Sequence, residues 1–314
     1  MIRKAVIPVA GLGTRLLPLT KTIPKEMLPV GRKPTIHHIV DELVEAGIDQ
    51  ILFITARHKR TIEDYFDHDT ALETRLRSQG RNDLADSISI PDVEFMSIRQ
   101  NKPAGNGDAV LLAHNFIGAD PVVVAWGDAI IHAPPGRNVV QRMIEVHQQQ
   151  GAACTIAVET VPEEKVARYG IVHPIYEADE AFPIDDLVEK PDLAVAPSRY
   201  AVSARYICNP DIISALDKTP PGRDGELWLV DAIRTLLQDG KKVWCVHLGA
   251  DCRRYDIGSP RTYWEACVDF ALTDAEEGTA FRDHLRTRII FQISGKTMKT
   301  VLVVDDRPAN LALL

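Results

Sequence analysis

Short apolar runs alternate with amphipathic stretches along most of the chain. The runs rich in β-branched side chains predict strands at residues 5–9, 50–55, 93–98, 122–125 and 154–159. Apolar positions at helical spacing predict helices at residues 36–46, 59–66, about 107–115, and 139–149. Consecutive strand–helix units are typical of an α/β protein with a mostly parallel sheet.

Polar segments interrupt this pattern without dividing it. Residues 67–90 are polar and helix-prone, which predicts an excursion from the sheet, and residues 197–199 and 218–226 predict loops. The chain has 314 residues, enough for one large domain or two ordinary ones. Because no linker separates the units, we expect one domain over residues 1–290.

Composition changes this picture at the N-terminus. The chain has 36 Lys and Arg against 44 Asp and Glu, a net charge of −8, which argues against nonspecific nucleic-acid binding. Its 45% hydrophobic and 25% charged residues are typical of a globular protein. The first forty residues, however, contain seven basic side chains and one acid. We therefore expect an anion-binding site in this segment.

The sequence also allows a prediction of the cellular compartment. The five cysteines are an odd number with no C-x-x-C pair, which predicts reduced thiols rather than a disulfide framework. Pro8 and Gly11 interrupt the apolar residues near the N-terminus, so no signal peptide is expected there. No stretch approaches the roughly 18 apolar residues of a membrane span. These features predict no membrane association and a cytoplasmic location.

A glycine-containing loop follows the first predicted strand. Gly11 and Gly13 allow backbone N–H groups to approach a ligand, and Arg15 and Lys25 supply cationic donors for a polyphosphate. The loop is not the dinucleotide-binding G-x-G-x-x-G motif, because Leu16 occupies the third glycine position. A P-loop is excluded as well, since the single G-K-T sequence lacks the first glycine.

Ten stretches together resemble the sugar-1-phosphate nucleotidylyltransferases, and within them the bacterial enzymes that form UDP-glucose. They are KAVIPVAGLGTRLLP (4–18), KTIPKEMLPV (21–30), RQ (99–100), GNGDAV (105–110), GDAI (127–130), RYGIV (168–172), VEKP (188–191), RYI (205–207), GELWLVDAI (225–233) and YDIG (255–258). Each stretch is short, but they occur in the family's order and spacing. The resemblance implies a Rossmann-like, mixed and mostly parallel sheet flanked by helices, of the nucleotide-diphospho-sugar transferase type.

The implied reaction transfers UMP from UTP to glucose 1-phosphate and gives UDP-glucose and pyrophosphate. The attacking phosphate is already ionised at neutral pH, so catalysis would consist of positioning and charge neutralisation. Two alternatives stay open: the same chemistry with dTTP or another sugar 1-phosphate, and a noncatalytic regulator that binds a nucleotide sugar. The resemblance also implies a homodimer or homotetramer.

The resemblance further implies three sets of functional residues. The catalytic cations would be Arg15, Lys25 and Lys190. The substrate-binding residues would be Ala10, Gly11, Gly13, Glu26, Gln100, Gly105, Gly170 and Glu189. The Mg²⁺ ligands would be Asp128 and Asp256, which suit a hard cation.

Within these sets, the nucleobase would lie against Gln100 and the backbone of Ala10 and Gly105. Lys190 would bind the sugar phosphate, and Glu189 the sugar hydroxyls. Ordinary structural roles compete with these assignments: an acid at a helix N-terminus for Glu26, a turn cap for each aspartate, and a solvated pair for Glu189 with Lys190.

Two positions depart from the family pattern beside the expected base pocket. The family sequence G-L-G-H-A-V is G-N-G-D-A-V here, with Asn106 and Asp108 replacing an apolar residue and a histidine. A carboxylate near a nucleotide would normally repel phosphate. We therefore expect that Asp108 faces away, pairs with a base, or alters specificity.

The C-terminal segment 291–314 is a second departure. Residues 299–310 resemble the first strand and acidic pair of a receiver domain, with Asp305 and Asp306 in the acidic positions. Such a domain needs roughly 100 residues, so this one is expected to be incomplete and its aspartates not to accept phosphate.

Overall fold

The computed structural model describes residues 1–136, 138–222 and 225–294. Residues 1–264 form one compact unit, and the described residues from 265 to 294 belong to a second. The predicted domain boundary at residue 290 stays a prediction. Of the segment that resembles a receiver domain, residues 295–314 lie outside the described residues.

The strands of the described chain are β1 (Lys4–Pro8), β2 (Pro29–Val30), β3 (Lys33–Pro34), β4 (Gln50–Thr55), β5 (Glu94–Arg99), β6 (Val122–Ala125), β7 (Ala129–His132), β8 (Cys154–Thr160), β9 (Gly170–Pro174), β10 (Ala181–Glu189), β11 (Tyr200–Cys208), β12 (Val243–His247) and β13 (Arg253–Asp256). The helices are α1 (Thr35–Glu45), α2 (Arg60–Phe66), α3 (Thr70–Ser78), α4 (Asn82–Ser87), α5 (Asn106–Leu112), α6 (His114–Ile117), α7 (Val139–Gln150), α8 (Asp211–Lys218), α9 (Leu229–Gln238), α10 (Pro260–Leu272) and α11 (Gly278–Ser294).

The main sheet has the strand order β5-β4-β1-β6-β11-β8-β12-β10-β9. Strands β5, β4, β1 and β6 run parallel, as do β8 and β12, and the other neighbours are antiparallel. The predicted mixed α/β fold is therefore confirmed, but the sheet is not mostly parallel, since four of the eight neighbouring strand pairs in this order are parallel and four are antiparallel. Its parallel part lies mainly in the N-terminal half, where strands and helices alternate along the chain.

The central strands are buried on both faces. All four residues of β6, VVVA, are buried, although successive side chains of a strand point to opposite faces. Burial on both faces explains why these strands are continuous apolar runs rather than alternating ones.

Within the described residues, no helix has both the length and the apolar character needed to cross a bilayer.

The carboxyl ends of β1, β4, β5 and β6 meet at one edge of the sheet, because these strands are parallel neighbours. The glycine loop follows β1, Gln100 follows β5, and Asp128 follows β6. Open α/β sheets bind ligands at this edge. Gly127 allows the close packing there, since a Cβ at this position would lie 2.5 Å from Cγ1 of Val9.

A buried arginine supports this edge from within β11. The strand is irregular at Ala204, whose φ of 59° lies in the left-handed region. Arg205 is fully buried and donates hydrogen bonds to Oε2 of Glu42 at 2.6 Å and to the backbone oxygen of Ala129 at 2.9 Å. It therefore ties α1, β7 and β11 together directly beside Asp128.

Candidate active site

The glycine loop turns the chain sharply after β1. Gly13 has φ 65°, and a Cβ there would lie 3.3 Å from Cγ2 of Thr20, so the position suits glycine. The hydroxyl of Thr20 donates to the backbone oxygen of Gly13 at 2.8 Å and closes the loop. The following short 3-10 turn, Thr14–Leu16, carries Arg15 towards the sheet edge.

Two carboxylates and two cations converge at this edge. The ammonium of Lys25 donates a hydrogen bond to Oδ2 of Asp128. The register of β7 with β13 opposes Ala129 to Asp256, which brings the second carboxylate beside the first. Both Asp256 and Arg15 lie against Gly258, where a Cβ would be 2.6 Å from Oδ1 of Asp256 and 2.8 Å from Nη2 of Arg15.

The ionisation of these groups reflects their mutual charges. Burial disfavours the charge on Lys25, but the combined attraction of Asp128, Glu26 and Asp256 outweighs it, and the pKa of Lys25 is raised. Burial also disfavours ionised Asp128, yet Lys25 and Arg15 lower its pKa overall. The pKa of Asp256 is raised by burial and further by the negative charge of Asp128. The cluster therefore contains a repulsive carboxylate pair that an added cation would stabilise.

The carboxylates of Asp128 and Asp256 are chemically suited to a hard divalent cation such as Mg²⁺, which would take its other ligands from phosphate and water. The two carboxylates lie close enough for the charge of Asp128 to raise the pKa of Asp256, and both supply hard oxygen donors. In the part of the chain that the structure describes, no group of three or more His, Cys, Asp or Glu side chains has a metal-binding arrangement. A site with two protein carboxylates is typical of Mg²⁺ bound together with a phosphate substrate.

A second group of predicted residues lies where β9 meets β10. The register opposes Gly170 to Glu189, and a Cβ on Gly170 would lie 3.1 Å from Oε2 of Glu189. The pKa of Glu189 is raised by burial, only partly offset by Lys190. Lys190 has φ 45°, and its Nζ lies 3.3 Å from Oε1 of Glu189 and 4.1 Å from the centroid of the Trp228 ring.

One cavity of about 650 Å³ joins the two groups. The predicted site residues that line it are Arg15, Asp128, Gly170, Glu189, Lys190 and Asp256. Ala10, Gly11, Gly13, Lys25, Glu26, Gln100 and Gly105 are not among its lining residues. Of these, Lys25 reaches the cavity through its ion pair with Asp128.

Gln100 and Gly105 form a separate polar group at the same edge of the sheet, in the loop that follows β5. The Nε2 of Gln100 donates to the backbone oxygen of Gly105 at 3.1 Å and to Oδ2 of Asp108 at 2.6 Å. Gly105 has φ 105°, and a Cβ there would lie 2.3 Å from the backbone oxygen of Leu227, so only glycine fits. Neighbouring Asn106, which does line the cavity, accepts a hydrogen bond from the backbone N–H of Leu229 at 2.8 Å.

Glu26 is almost completely buried, and its partner is Lys59. The Nζ of Lys59 lies 2.6 Å from Oε2 of Glu26, with both side chains at most 2% exposed. Burial raises the pKa of Glu26 and lowers that of Lys59, because it disfavours both charges. In this structure the Glu26 carboxyl is thus part of a buried ion pair beneath the edge.

Several cavity residues were not predicted from the sequence. Trp126 follows the buried strand β6, and Tyr206 lies in β11, with ring centroids 5.3 Å apart. Arg254 lies over the ring of Tyr169 at 4.7 Å and forms an ion pair with Glu159. The adjacent motifs YDIG and RYGIV pointed to this region, but only the tertiary contacts identify the side chains themselves.

This arrangement is that of a nucleotidyl transferase, and comparison with known proteins agrees: the family model "Nucleotidyl transferase" matches residues 4–272. The chain belongs to this family. A UTP–glucose-1-phosphate uridylyltransferase of Bacillus subtilis is 39% identical over 280 residues, which cover 88% of this chain and 93% of that protein.

Two solved structures extend the comparison. A UTP-bound UGPase from Acinetobacter baumannii is 37% identical, with a TM-score of 0.83, covering 93% of this chain and all of that one. A UDP-glucose pyrophosphorylase complexed with UDP-glucose is 37% identical, with a TM-score of 0.78, covering 87% of this chain and all of that one. The similarity thus spans the whole of both known chains.

Proposed function

We propose that this protein transfers UMP from UTP to glucose 1-phosphate and forms UDP-glucose and pyrophosphate. The observation that carries the proposal is one cavity in which Arg15, Asp128 and Asp256 face Glu189 and Lys190. Cations and paired carboxylates at one end suit a triphosphate with its metal. The half-buried Glu189 with Gly170 at the other end suits a sugar. The names and bound ligands of the similar proteins support the same substrates.

In the proposed reaction, a phosphate oxygen of glucose 1-phosphate attacks the α-phosphorus of UTP, and the bond to the pyrophosphate leaving group breaks. The attacking oxygen is already ionised, so no residue has to remove a proton from it. Arg15 and Lys25 neutralise charge on the triphosphate, and Lys190 orients the attacking phosphate. Catalysis then rests on positioning and electrostatic stabilisation.

We further propose that Asp128 and Asp256 hold Mg²⁺. When bound, the ion supplies charge neutralisation at the phosphate oxygens. Lys25 keeps Asp128 ionised, as the lowered pKa of that carboxyl indicates. The proximity of the two carboxylates supports this assignment.

Lys190 requires a change of contact in this proposal. Its Nζ lies over Trp228 and beside Glu189, and its side chain is 46% exposed. A phosphate would offer a stronger, charge-assisted partner than the indole ring. We propose that Lys190 turns from Trp228 to the sugar phosphate when substrate binds.

The test is pyrophosphate release by purified protein with Mg²⁺, across four nucleotides and three sugar phosphates. We expect the highest rate with UTP and glucose 1-phosphate. A higher rate with dTTP or another sugar would keep the chemistry and change the substrate. No release with any pair, together with calorimetric binding of UDP-glucose, would instead favour a noncatalytic regulator.

A variant pair assigns the activity to this cavity. Asp128→Asn should abolish turnover, because it removes a charge from the proposed metal site. Asp120→Asn is the matched control, since Asp120 is 63% exposed and pairs with Lys4 away from the cavity. Near-normal turnover in Asp128→Asn would remove this residue from the proposed metal role.

Three further assignments complete the proposal. We propose a homodimer or homotetramer, which light scattering of the purified chain would test. We also propose a cytoplasmic location and a catalytic domain over residues 1–290, as the sequence predicts. The large apolar side chains exposed in the loop after β1 favour a subunit contact there; they are Leu12, Leu17, Leu19 and Ile23.

A further inference from the structure

Both N–H groups of the Gln100 side chain are already occupied. Its Nε2 donates to the backbone oxygen of Gly105 at 3.1 Å and to Oδ2 of Asp108 at 2.6 Å. A side-chain amide nitrogen has two N–H donors in all. Gln100 therefore has no donor left, and its carbonyl oxygen Oε1 is the group it can offer to a ligand.

Asp108 fixes this orientation of the amide. Rotating the amide by 180° would turn Oε1 towards the carboxylate of Asp108 and the carbonyl of Gly105, two acceptors that cannot donate to it. The rotation would lose two hydrogen bonds, one of them charge-assisted. The Gly105 carbonyl is itself held in place, because Leu227 donates to the backbone of Ala104 at 2.8 Å and accepts from that of Gly107 at 2.8 Å.

We infer that Asp108 is a positioning residue: it holds the Gln100 amide so that the base pocket presents a hydrogen-bond acceptor, which selects nucleobases with an N3–H donor. This inference rests on the proposed function and on the expectation, implied by the family resemblance, that the base of the nucleotide lies against Gln100. It gives a role to the carboxyl that replaces the histidine of the family pattern.

The selection follows from the chemistry of the pyrimidine ring. Uracil and thymine carry a hydrogen on N3 and can donate it to Oε1 of Gln100. Cytosine has a lone pair on N3 instead, so two hydrogen-bond acceptors, N3 of the base and Oε1 of Gln100, would face each other. A freely rotating glutamine could turn its NH₂ group to cytosine, but Asp108 prevents this. The arrangement does not distinguish uracil from thymine.

The test compares kcat/KM for UTP and CTP in Asp108→Leu, which keeps the branched shape of the side chain and removes the acceptor. We expect the preference for UTP over CTP to fall about tenfold or more, the effect of losing one well-placed polar contact. The loss with UTP should appear mainly in KM, because the base is remote from the reacting phosphorus. Asp108→Asn retains an acceptor oxygen for Gln100 and should keep most of the preference.

Two controls separate positioning from a structural effect. Asp211 is also an acid in the first turn of a helix, and Asp211→Leu should leave the preference unchanged. In a Gln100→Leu background, Asp108→Leu should cause no further change, because Asp108 acts through Gln100. If Asp108→Leu does not fold, Asp108→Ala and Gln100→Leu provide the same comparison.

An unchanged UTP preference in Asp108→Leu would overturn the inference, as would an equally large effect in the Gln100→Leu background. These outcomes are distinct from failure of the proposed function, which would appear as no pyrophosphate release by the wild-type protein. In that case calorimetric affinities for UTP and CTP test the base preference without turnover. Equal affinities of the wild-type protein for the two nucleotides would overturn the inference.

Discussion

Lys59 and Glu26 form a buried ion pair beneath the proposed active site. The loss of stability on removing the charge of Lys59 can be estimated, together with its dependence on pH. Lys59→Met keeps the apolar stem and removes the charge that faces Glu26, 2.6 Å away. Glu26 would then have to lose its charge or remain ionised without its nearest partner. Breaking a buried pair in this way typically costs about 3–5 kcal/mol.

Protonation sets an upper limit on that cost. The carboxyl of glutamate has an ordinary pKa of about 4.3, so protonating it at pH 7 costs about 3.7 kcal/mol, at about 1.4 kcal/mol per pH unit. Burial already raises the pKa of Glu26, and loss of Lys59 would raise it further. Lys25 also attracts Glu26 and reduces the cost. We expect Lys59→Met to lower the free energy of unfolding by about 2–3.7 kcal/mol at pH 7.

The sign of the pH dependence follows from the raised pKa. A folded carboxyl with a raised pKa binds its proton more tightly than the unfolded one, so stability returns as pH falls from the folded towards the unfolded pKa. At pH 5, protonating Glu26 costs about 1 kcal/mol, and the destabilisation by Lys59→Met should shrink to about that value. Urea unfolding at pH 7 and pH 5, followed by tryptophan fluorescence, measures both quantities.

The matched control is an exposed ion pair of the same length. Lys33 lies 2.6 Å from Asp41, but both side chains are more than 40% exposed. Lys33→Met should therefore change the free energy of unfolding by less than about 1 kcal/mol. Equal losses in the two variants, or an equal loss in Lys59→Met at both pH values, would refute the reasoning.

Two further substitutions test the support of the site. Arg205→Met leaves Glu42, whose side chain is only 10% exposed, without its partner and should lower the free energy of unfolding by about 3–5 kcal/mol, measured by urea denaturation. A loss below about 1 kcal/mol would contradict this. Gly258→Ala would place a Cβ 2.6 Å from Asp256 and 2.8 Å from Arg15, so both must move. A displacement of about 1 Å in an active site can lower the reaction rate about 100-fold. We therefore expect kcat/KM to fall about 10- to 100-fold with little change in melting temperature. Full activity would show that Asp256 and Arg15 need no fixed position.

The pattern of apolar residues predicted the N-terminal half of the fold well. Gln50–Thr55 and Val122–Ala125 were predicted with the bounds they have, because a strand buried on both faces is a continuous apolar run between polar turns. Strand β10 was not predicted. Its sequence AFPIDDLVE contains a proline and two aspartates, because it lies in the antiparallel part of the sheet and is only partly buried.

Some residues of the candidate site could likewise be predicted from the sequence, whereas others could not. The resemblance pointed to Asp128 and Asp256, and the register of β13 with β7 explains how residues so far apart in sequence become neighbours. The partner of Glu26 could not be predicted, since Lys59 reaches it only through the packing of the folded chain. Asp108 was noted as a departure, but its contact depends on the conformation of the loop that begins after Gln100.

The most direct test of the central claim follows the phosphorus atoms. Purified protein is incubated with Mg²⁺, glucose 1-phosphate and UTP labelled with ³²P at either the α- or the γ-phosphate. The account predicts that α-label appears in UDP-glucose and γ-label in pyrophosphate, and that Asp128→Asn forms neither labelled product. Label from the γ-phosphate in a sugar product, or no labelled product from the wild-type protein, would contradict UMP transfer at this site.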